Sequence, residues 1–472
     1  MKLSVLSLAA IAVGVTACAD NPVQPVATRV PAANAAASSA ANRMVVEFNG
    51  PVRKDFAASV AALGGAVDFV SESGGFAAVS GLTTDAAARL GRTSGISAVY
   101  PDVTVQLESV PQVSQSLMGD VTAMSPTNPA AAIAFSLQWN MRAISAPQAW
   151  AAGNLGSSSV TAAIIDSGID YDAFDLNGLV DLSRSVSFVP PDDAILNTFF
   201  PARNKVDDLG GHGTLVATQV SSNGLVFAGV SSRTRLMGIK VIGQNGTGSL
   251  AAILAGVIWA ADHGADVANM SLGVTNGVDK SGLGLFVGLT NRVFNYANRA
   301  GMVLVVAAGN DARNQDGDGR VFSAYCEAPH VVCVSATGPT SGQPFAGPWG
   351  GVDAPASYSD IGHAIMVSAP GGSAFGFVAA SCAKHWAIAA GGSFIFPCNV
   401  GLPSLPILGG AGTSAAAPHV TGVVAQLIAK YGKGKPSQIK QLLLNSVDDL
   451  GAPGKDPFYG AGRVNLLKAM SQ

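Results

Sequence analysis

The sequence predicts an α/β protein in which a parallel sheet is covered by helices on both faces, preceded by a small α+β domain. Three observations carry this. From Trp139 onward, unbroken apolar runs at 160–165, 303–307 and 331–334 alternate with helical stretches at 250–263 and 413–431. Continuous apolar runs belong to strands buried on both sides, and strand–helix alternation builds parallel sheets. Hydrophobic residues make up 48% of the chain and charged residues 12%, which suits a well-filled core and excludes a long disordered chain. The 56 glycines supply the tight turns that many strand-to-helix junctions need. At 472 residues, more than one folding unit is expected.

The elements follow in order. Lys2 and the mostly apolar residues 3–16 read as an export signal, shorter than the ~20 residues a membrane span needs. The run ends at Val15-Thr16-Ala17-Cys18, which resembles a bacterial lipobox and makes Cys18 a lipidated mature N terminus after a signal peptide at 1–18. The alternative is an ordinary signal peptide cut nearby. Residues 19–42, rich in Ala, Pro, Ser and Asn, read as a flexible tether spanning about 25–30 Å. Residues 43–108 read as one unit. Met44-Val45-Val46-Glu47-Phe48 is a strand, and Phe56, Val60 and Leu63 share one side of a helix. Strands at 66–70 and 75–79 flank the turn Ser71-Glu72-Ser73-Gly74, Thr83-Thr84-Asp85 opens a helix through Leu90, and 96–100 is a last strand. That order is ferredoxin-like. Residues 109–138 read as an exposed linker open to cutting, and 139–472 as the α/β domain.

Net charge is −3 with no basic block, so nothing points to nucleic acid. The cysteine count is five. Setting Cys18 aside leaves Cys326, Cys333, Cys382 and Cys398, which an exported protein can oxidise into two disulfides. Sequence allows three pairings of four cysteines; the local ones, 326–333 and 382–398, are favoured. Neither pair has the tight spacing usual for zinc.

Three segments carry the chemistry. Ser414 sits in Gly412-Thr413-Ser414-Ala415-Ala416-Ala417-Pro418-His419-Val420, the run at 160–165 ends in Asp166-Ser167-Gly168, and Gly211-His212-Gly213-Thr214 lies between them. A serine hydroxyl is a poor nucleophile until an imidazole takes its proton, and that imidazole needs a carboxylate to fix its tautomer. Taken singly, Ser414 fits a helix cap, His212 a loop and Asp166 a turn. Asp170 is an alternative acid, but Asp166 directly follows the buried strand, where such a carboxylate is held and shielded.

Taken in order with their neighbours, these motifs resemble the subtilisin-like serine peptidases, over roughly 139–470. The resemblance implies a serine endopeptidase with Ser414 as nucleophile, His212 as general base and Asp166 as orienting acid, needing no cofactor for catalysis. Val305-Val306-Ala307-Ala308-Gly309-Asn310 matches the family's oxyanion segment, so Asn310 would donate to the tetrahedral oxyanion. Gly246-Thr247-Gly248 and Ser271-Leu272-Gly273 resemble its two substrate-binding strands, although such glycines also simply end strands; Ala307, Ala308 and Gly309 would line the main specificity pocket. The 43–108 unit looks like the family's inhibitory propeptide, its last strand near 104–107 running into the cleft. The implied partners are peptide substrates and this propeptide, with the membrane reached only through the lipid, in a monomer exported to the cell envelope and released on processing.

There are departures. Ala173-Phe174 stand where the family has His-Pro, and Leu215 and Thr218 replace its usual His and Gly, which weakens the expectation of a calcium site at Asp175. Insertions at 181–206 and 373–407 are expected as surface loops near the cleft. Asn314, Asp316 and Asp318 with Gly319 resemble half of a calcium loop, with Tyr325 where a glutamate would close it; a solvated acidic turn fits equally. His263, His330, His363, His385 and His419 show no pairing pattern in the sequence. Two other functions keep their place at this point: an esterase using the same triad, and a weak or inactive homologue that binds peptides.

Overall fold

The order of elements in the first hundred residues dictates a split β-α-β pair, and the chain folds that way. A computed structural model describes residues 43–107, 113–118, 126–273, 278–279, 284–316, 321–322, 325–390, 393–399 and 404–472; Cys18, Asp318 and the tether at 19–42 lie outside them. Strands β1 (Met44–Phe48), β2 (Ala66–Ser71), β3 (Phe76–Ser80) and β4 (Ile96–Pro101), with helices α1 (Phe56–Ala62) and α2 (Thr84–Leu90), form an antiparallel sheet ordered β2-β3-β1-β4. Alternation along the strands sorts the side chains. Val46, Ala77 and Val79 meet Phe56, Val60 and Leu90 in a small core, while Val45, Phe76 and Ala78 face the larger domain and join its core.

In that domain the unbroken apolar runs become central strands. They are β6 (Thr161–Asp166), β7 (Arg235–Lys240), β9 (Val267–Met270), β10 (Val303–Ala307), β11 (Val331–Gly338) and β12 (Val367–Pro370), with the short β8 (Thr247–Ser249) outside this sheet. The order is β12-β11-β10-β9-β6-β7, all parallel. Val186–Ser187 extends the edge beyond β7, and Ala354–Pro355 pairs antiparallel with β11. Helices α3 (His212–Val220) and α6 (Thr413–Tyr431) cover one face over Ala162, Ile164 and Val305. On the other face, α4 (Leu250–Asp262) and α5 (Gly284–Arg299) cover Ala163, Ile165 and Val306. Both faces are dry, which is why the runs needed no polar alternation.

The N-terminal sheet packs on α4 and α5. Tyr100 meets Phe286 edge-on at 5.8 Å, and Glu47 accepts from the Tyr100 hydroxyl at 2.6 Å and from Arg292 at 2.7 Å. Asp102 accepts from Ser249 Oγ and, at 3.1 Å, from Ala251 N in the first turn of α4, where the helix dipole favours a carboxylate. The chain then forms β5 (Thr104–Gln106), which pairs antiparallel with β8, Val105 opposite Gly248. Beyond it, Leu107 N donates to Gly246 O at 2.7 Å.

Two expectations need correction. The 109–138 segment is not simply an exposed linker. Val113–Met118 pairs antiparallel with Ser404–Gly410, and Ala132 and Ala134 are buried. An edge strand with free N–H and C=O groups takes a partner even where the partner's side chains give little pattern. Nor are the insertions merely loops. The first contains the helix Pro190–Phe199, and Leu196, Leu209 and Ala387 form a separate small core between the two.

Val105 has no exposed surface. Val105→Asp therefore places an unpaired carboxylate against Gly248, at a cost of a few kcal/mol. Limited proteolysis should cut residues 101–107 markedly faster in this variant than in its parent, both carrying Ser414→Ala. Equal rates would show that β5 does not depend on β8.

Candidate active site

Three chain segments converge at the C-terminal edge of the parallel sheet, where such sheets place their sites. Asp166 is the last residue of β6 and has no exposed surface. Its Oδ1 accepts from Ser167 N at 2.7 Å and lies 2.8 Å from His212 Nδ1. His212 opens α3 directly after Gly211, whose φ of 79° is a left-handed value that suits glycine. The approach to His212 is tied by Asp208, whose Oδ1 accepts from Gly210 N, Gly211 N and Ser167 Oγ. Oδ2 of the same carboxylate accepts from the backbone and hydroxyl of Thr214. Burial disfavours an imidazolium at His212, but the charge and hydrogen bond of Asp166, with Asp208 behind, outweigh it and raise its pKa above the ordinary histidine value.

Ser414 is the second residue of α6, so its backbone N–H is among those a helix start leaves without an intrahelical partner. Its Oγ is buried and has no hydrogen-bond partner. Ser271 Oγ donates to Ser414 O at 2.7 Å and holds the turn from below. Asn310 follows β10. Thr413 N and Thr413 Oγ1 lie 2.8 and 3.0 Å from Asn310 Oδ1. A backbone N–H can only donate, so the amide oxygen faces Thr413 and the NH₂ group is left for the cleft. Gly309 has a φ of 117°, and a Cβ there would lie 2.6 Å from Asp360 Oδ2. Asp360 in turn accepts from Asp311 N and Arg313 N, fixing the loop that carries Asn310.

A pocket is lined by His212, Ser271, Leu272, Gly273, Ala307, Gly309, Asn310, Thr413 and Ser414, and Leu107 from the N-terminal unit enters it. Gly246, Thr247 and Gly248 lie alongside, with β8 already paired to β5. Ala308 departs from expectation: strand alternation turns it away into the opposite core, and Ala307 and Gly309 alone of that trio line the pocket.

The other residues singled out by sequence go elsewhere. Asp170 meets Arg203 and Lys384 N rather than His212. Asp175 is fully buried, its Oδ1 accepting from the backbone of Leu225, Val226 and Phe227 and its Oδ2 from Ser381 Oγ, so N–H donors occupy the place a cation would need. Asn314 Oδ1 accepts from Asp316 N, and the Asp316 carboxylate accepts from His363 N. Among the described residues, no three His, Cys, Asp or Glu are placed to hold a metal. The histidines do have partners, which sequence spacing could not show. His363 Nδ1 lies 2.5 Å from Asp316 and His385 Nδ1 2.7 Å from Asp207. His419 lies 2.8 Å from Asn140, and burial pushes its pKa down to about 4. Disulfides join Cys326 to Cys333 and Cys382 to Cys398. Asp208, Thr413 and Asp360 were missed; an acid four residues before His212 was the one signal for any of them.

Residues 157–462 match the model of the subtilase family, the S8 peptidases. Thermitase of Thermoactinomyces vulgaris is 29% identical over 338 residues, which is 71% of this chain and 96% of thermitase. The minor extracellular protease Epr of Bacillus subtilis is 27% identical over 332 residues, 69% of this chain but only 41% of Epr. Among solved structures, the epidermin leader peptide processing serine protease of Staphylococcus aureus superposes with a TM-score of 0.68 at 22% identity, covering 91% of this chain and 98% of that one. No helix among the described residues is long and apolar enough to cross a membrane.

The geometry at His212 sets a pH expectation. A neighbouring carboxylate favours the imidazolium, so His212 should titrate by NMR above the ordinary value of about 6.5, and Asp166→Asn should lower its midpoint. A midpoint that ignores the substitution would mean that the 2.8 Å contact carries no charge coupling.

Proposed function

Because the chain belongs to the subtilase family, we propose that it is a serine endopeptidase, exported and made as a self-processing zymogen. Asp166 orients His212, and His212 takes the Ser414 proton as Oγ attacks a peptide carbonyl. The tetrahedral oxyanion is met by the Asn310 amide and the Ser414 backbone N–H. His212 returns the proton to the leaving amine, and water repeats the sequence on the acyl-enzyme. The Ser414 hydroxyl, unpartnered without a substrate, completes its bond to His212 as the substrate seats; such contacts are often loose before then.

One observation carries this reading. An extended segment already lies in the cleft as a peptide substrate would: β5 is added to β8 as a strand and Leu107 reaches the pocket beside Ser414. That arrangement supports residues 43–108 as an inhibitory propeptide, with processing between 108 and 138. It favours a peptidase over an esterase, because an ester needs no strand to pair with. Cys18 as a lipid anchor would lie on the propeptide side of the cut, so processing would also release the enzyme. Structural calcium is left to Asn314, Asp316 and Asp318, with the Asp316 carboxylate turned to His363 as the point against it.

Ser414→Ala should abolish both peptide hydrolysis and self-processing, and should block fluorophosphonate labelling. Asn310→Ala should fold and keep weak activity, reduced on the order of 10²–10³-fold, a magnitude carried over from subtilisin itself. A Ser414→Ala protein that matures alone and cleaves casein would sink the assignment; a wild-type protein that resists the label would favour an inactive peptide binder.

Cell fractionation tests the anchor. Ser414→Ala should stay membrane-bound at full length, whereas wild type sheds a shorter soluble form. If both remain equally bound after the propeptide is cut, activation and release are not coupled.

A further inference from the structure

The two insertions meet over the segment that leads into His212, and neither the triad nor the cleft uses what lies there. Asp207, with no exposed surface, accepts from His385 Nδ1 at 2.7 Å and from Arg203 Nε and Nη2 at 2.7 and 3.0 Å. Burial opposes its charge, but the His385 and Arg203 bonds more than offset that and hold its pKa below the usual carboxylate range. Its backbone carbonyl accepts from the buried Lys240 Nζ at 2.8 Å, and Lys240 pairs with Asp192 of the first insertion. His385 is pressed against the Phe200 ring at 4.0 Å, and Ala387 N donates to Leu209 O at 2.9 Å. Finally, the indole of Trp386 lies over Gly211: a Cβ on that glycine would stand 3.2 Å from Trp386 Cγ. The contacts of His385, Arg203 and Lys240 with Asp207, of Ala387 with Leu209 and of Trp386 with Gly211 all fall on residues 207–211, the backbone immediately before His212. His385, Trp386 and Ala387 lie in one loop closed by the Cys382–Cys398 disulfide.

We propose that this disulfide-closed loop is a brace for the general base, with His385 and Trp386 as positioning residues that act on His212 through Asp207 and Gly211. The proposal rests on the reading of His212 as general base. Its physical content is that the core holds α3 along its whole length, His212 included, so the backbone at 207–211 that enters the helix sets where the imidazole stands. Asp208 ties that segment to Ser167 and Thr214 from inside. The loop ties it from outside, by a charged hydrogen bond at one end and an aromatic cover at the other. A misplacement of ~1 Å from a change away from the chemistry can cost about 10²-fold in rate.

The test uses the full chain with three substitutions. His385→Phe keeps a ring and removes the donor to Asp207. His385→Asn keeps a donor near the place of Nδ1. Trp386→Ala uncovers Gly211; because Trp386 also packs on the edge of the main core, its Tm is measured alongside. In the Ser414→Ala protein, which needs no activity, the low-field NMR resonance of the His212 Nδ1 proton reads the bond to Asp166. It should broaden or move upfield in His385→Phe and Trp386→Ala and stay in His385→Asn. With Ser414 intact, kcat should fall about 10–100-fold for the first two while KM changes little. Replacing Cys382 and Cys398 together by Ser should reproduce His385→Phe. Resonance and kcat both unchanged in His385→Phe and Trp386→Ala, with only Tm lowered, would overturn the brace and leave the loop a scaffold. A moved resonance in a protein whose parent shows no Ser414-dependent hydrolysis would keep the brace and overturn the proposed function instead.

Discussion

A carboxylate taken fully out of water needs hydrogen-bond donors, because a buried polar group left unpaired costs free energy. Asp166 is such a group, and its donors, His212 Nδ1 and Ser167 N, are the contacts around which the cleft is arranged. Ser167 Oγ then reaches Asp208, and Asp208 gathers the N–H groups on either side of His212. The position of the imidazole is therefore set by one connected set of hydrogen bonds starting at the end of β6. Parallel register puts Asp166 beside Lys240, whose ammonium supports the same segment from the other strand.

With 12% charged residues, the chain is sparing with charge, yet it buries several around this one loop. Asp170, Asp192, Asp207, Asp208 and Lys240 are all nearly or fully inaccessible. Buried ion pairs are weak evidence for stability, because desolvation cancels much of their attraction. They are better at fixing geometry, since breaking one strands a charge in a dry place. From the two insertions that sequence alone presents as decoration, Arg203 and His385 reach Asp207 on the approach to His212, and Asp192 reaches it through Lys240.

The N-terminal unit follows the same economy. Its sheet has an apolar face that α1 and α2 leave uncovered, and α4 and α5 supply the cover. Once that face is seated, Asp102 at the start of α4 fixes where the chain leaves the unit, and β5 has only β8 to pair with. Burial, a helix-end hydrogen bond and strand addition together aim Leu107 at the pocket.

By itself the sequence determined the architecture. Short apolar runs alternating with longer helical stretches read as strands with two dry faces, and the order of periodicities in residues 43–101 admits few connections. The neighbourhoods of Asp166, His212, Asn310 and Ser414 were legible too, because each needs small residues or a strand end beside it. What only the tertiary structure decided were the contacts between distant segments. His385 on Asp207, Trp386 on Gly211, Thr413 on Asn310 and Asp360 beneath Gly309 join positions with no shared period. Local sequence encodes which face a side chain takes, and that is enough to build layers. It does not encode which partner arrives from a hundred residues away, and the polar bonds that hold a site still are made with such partners.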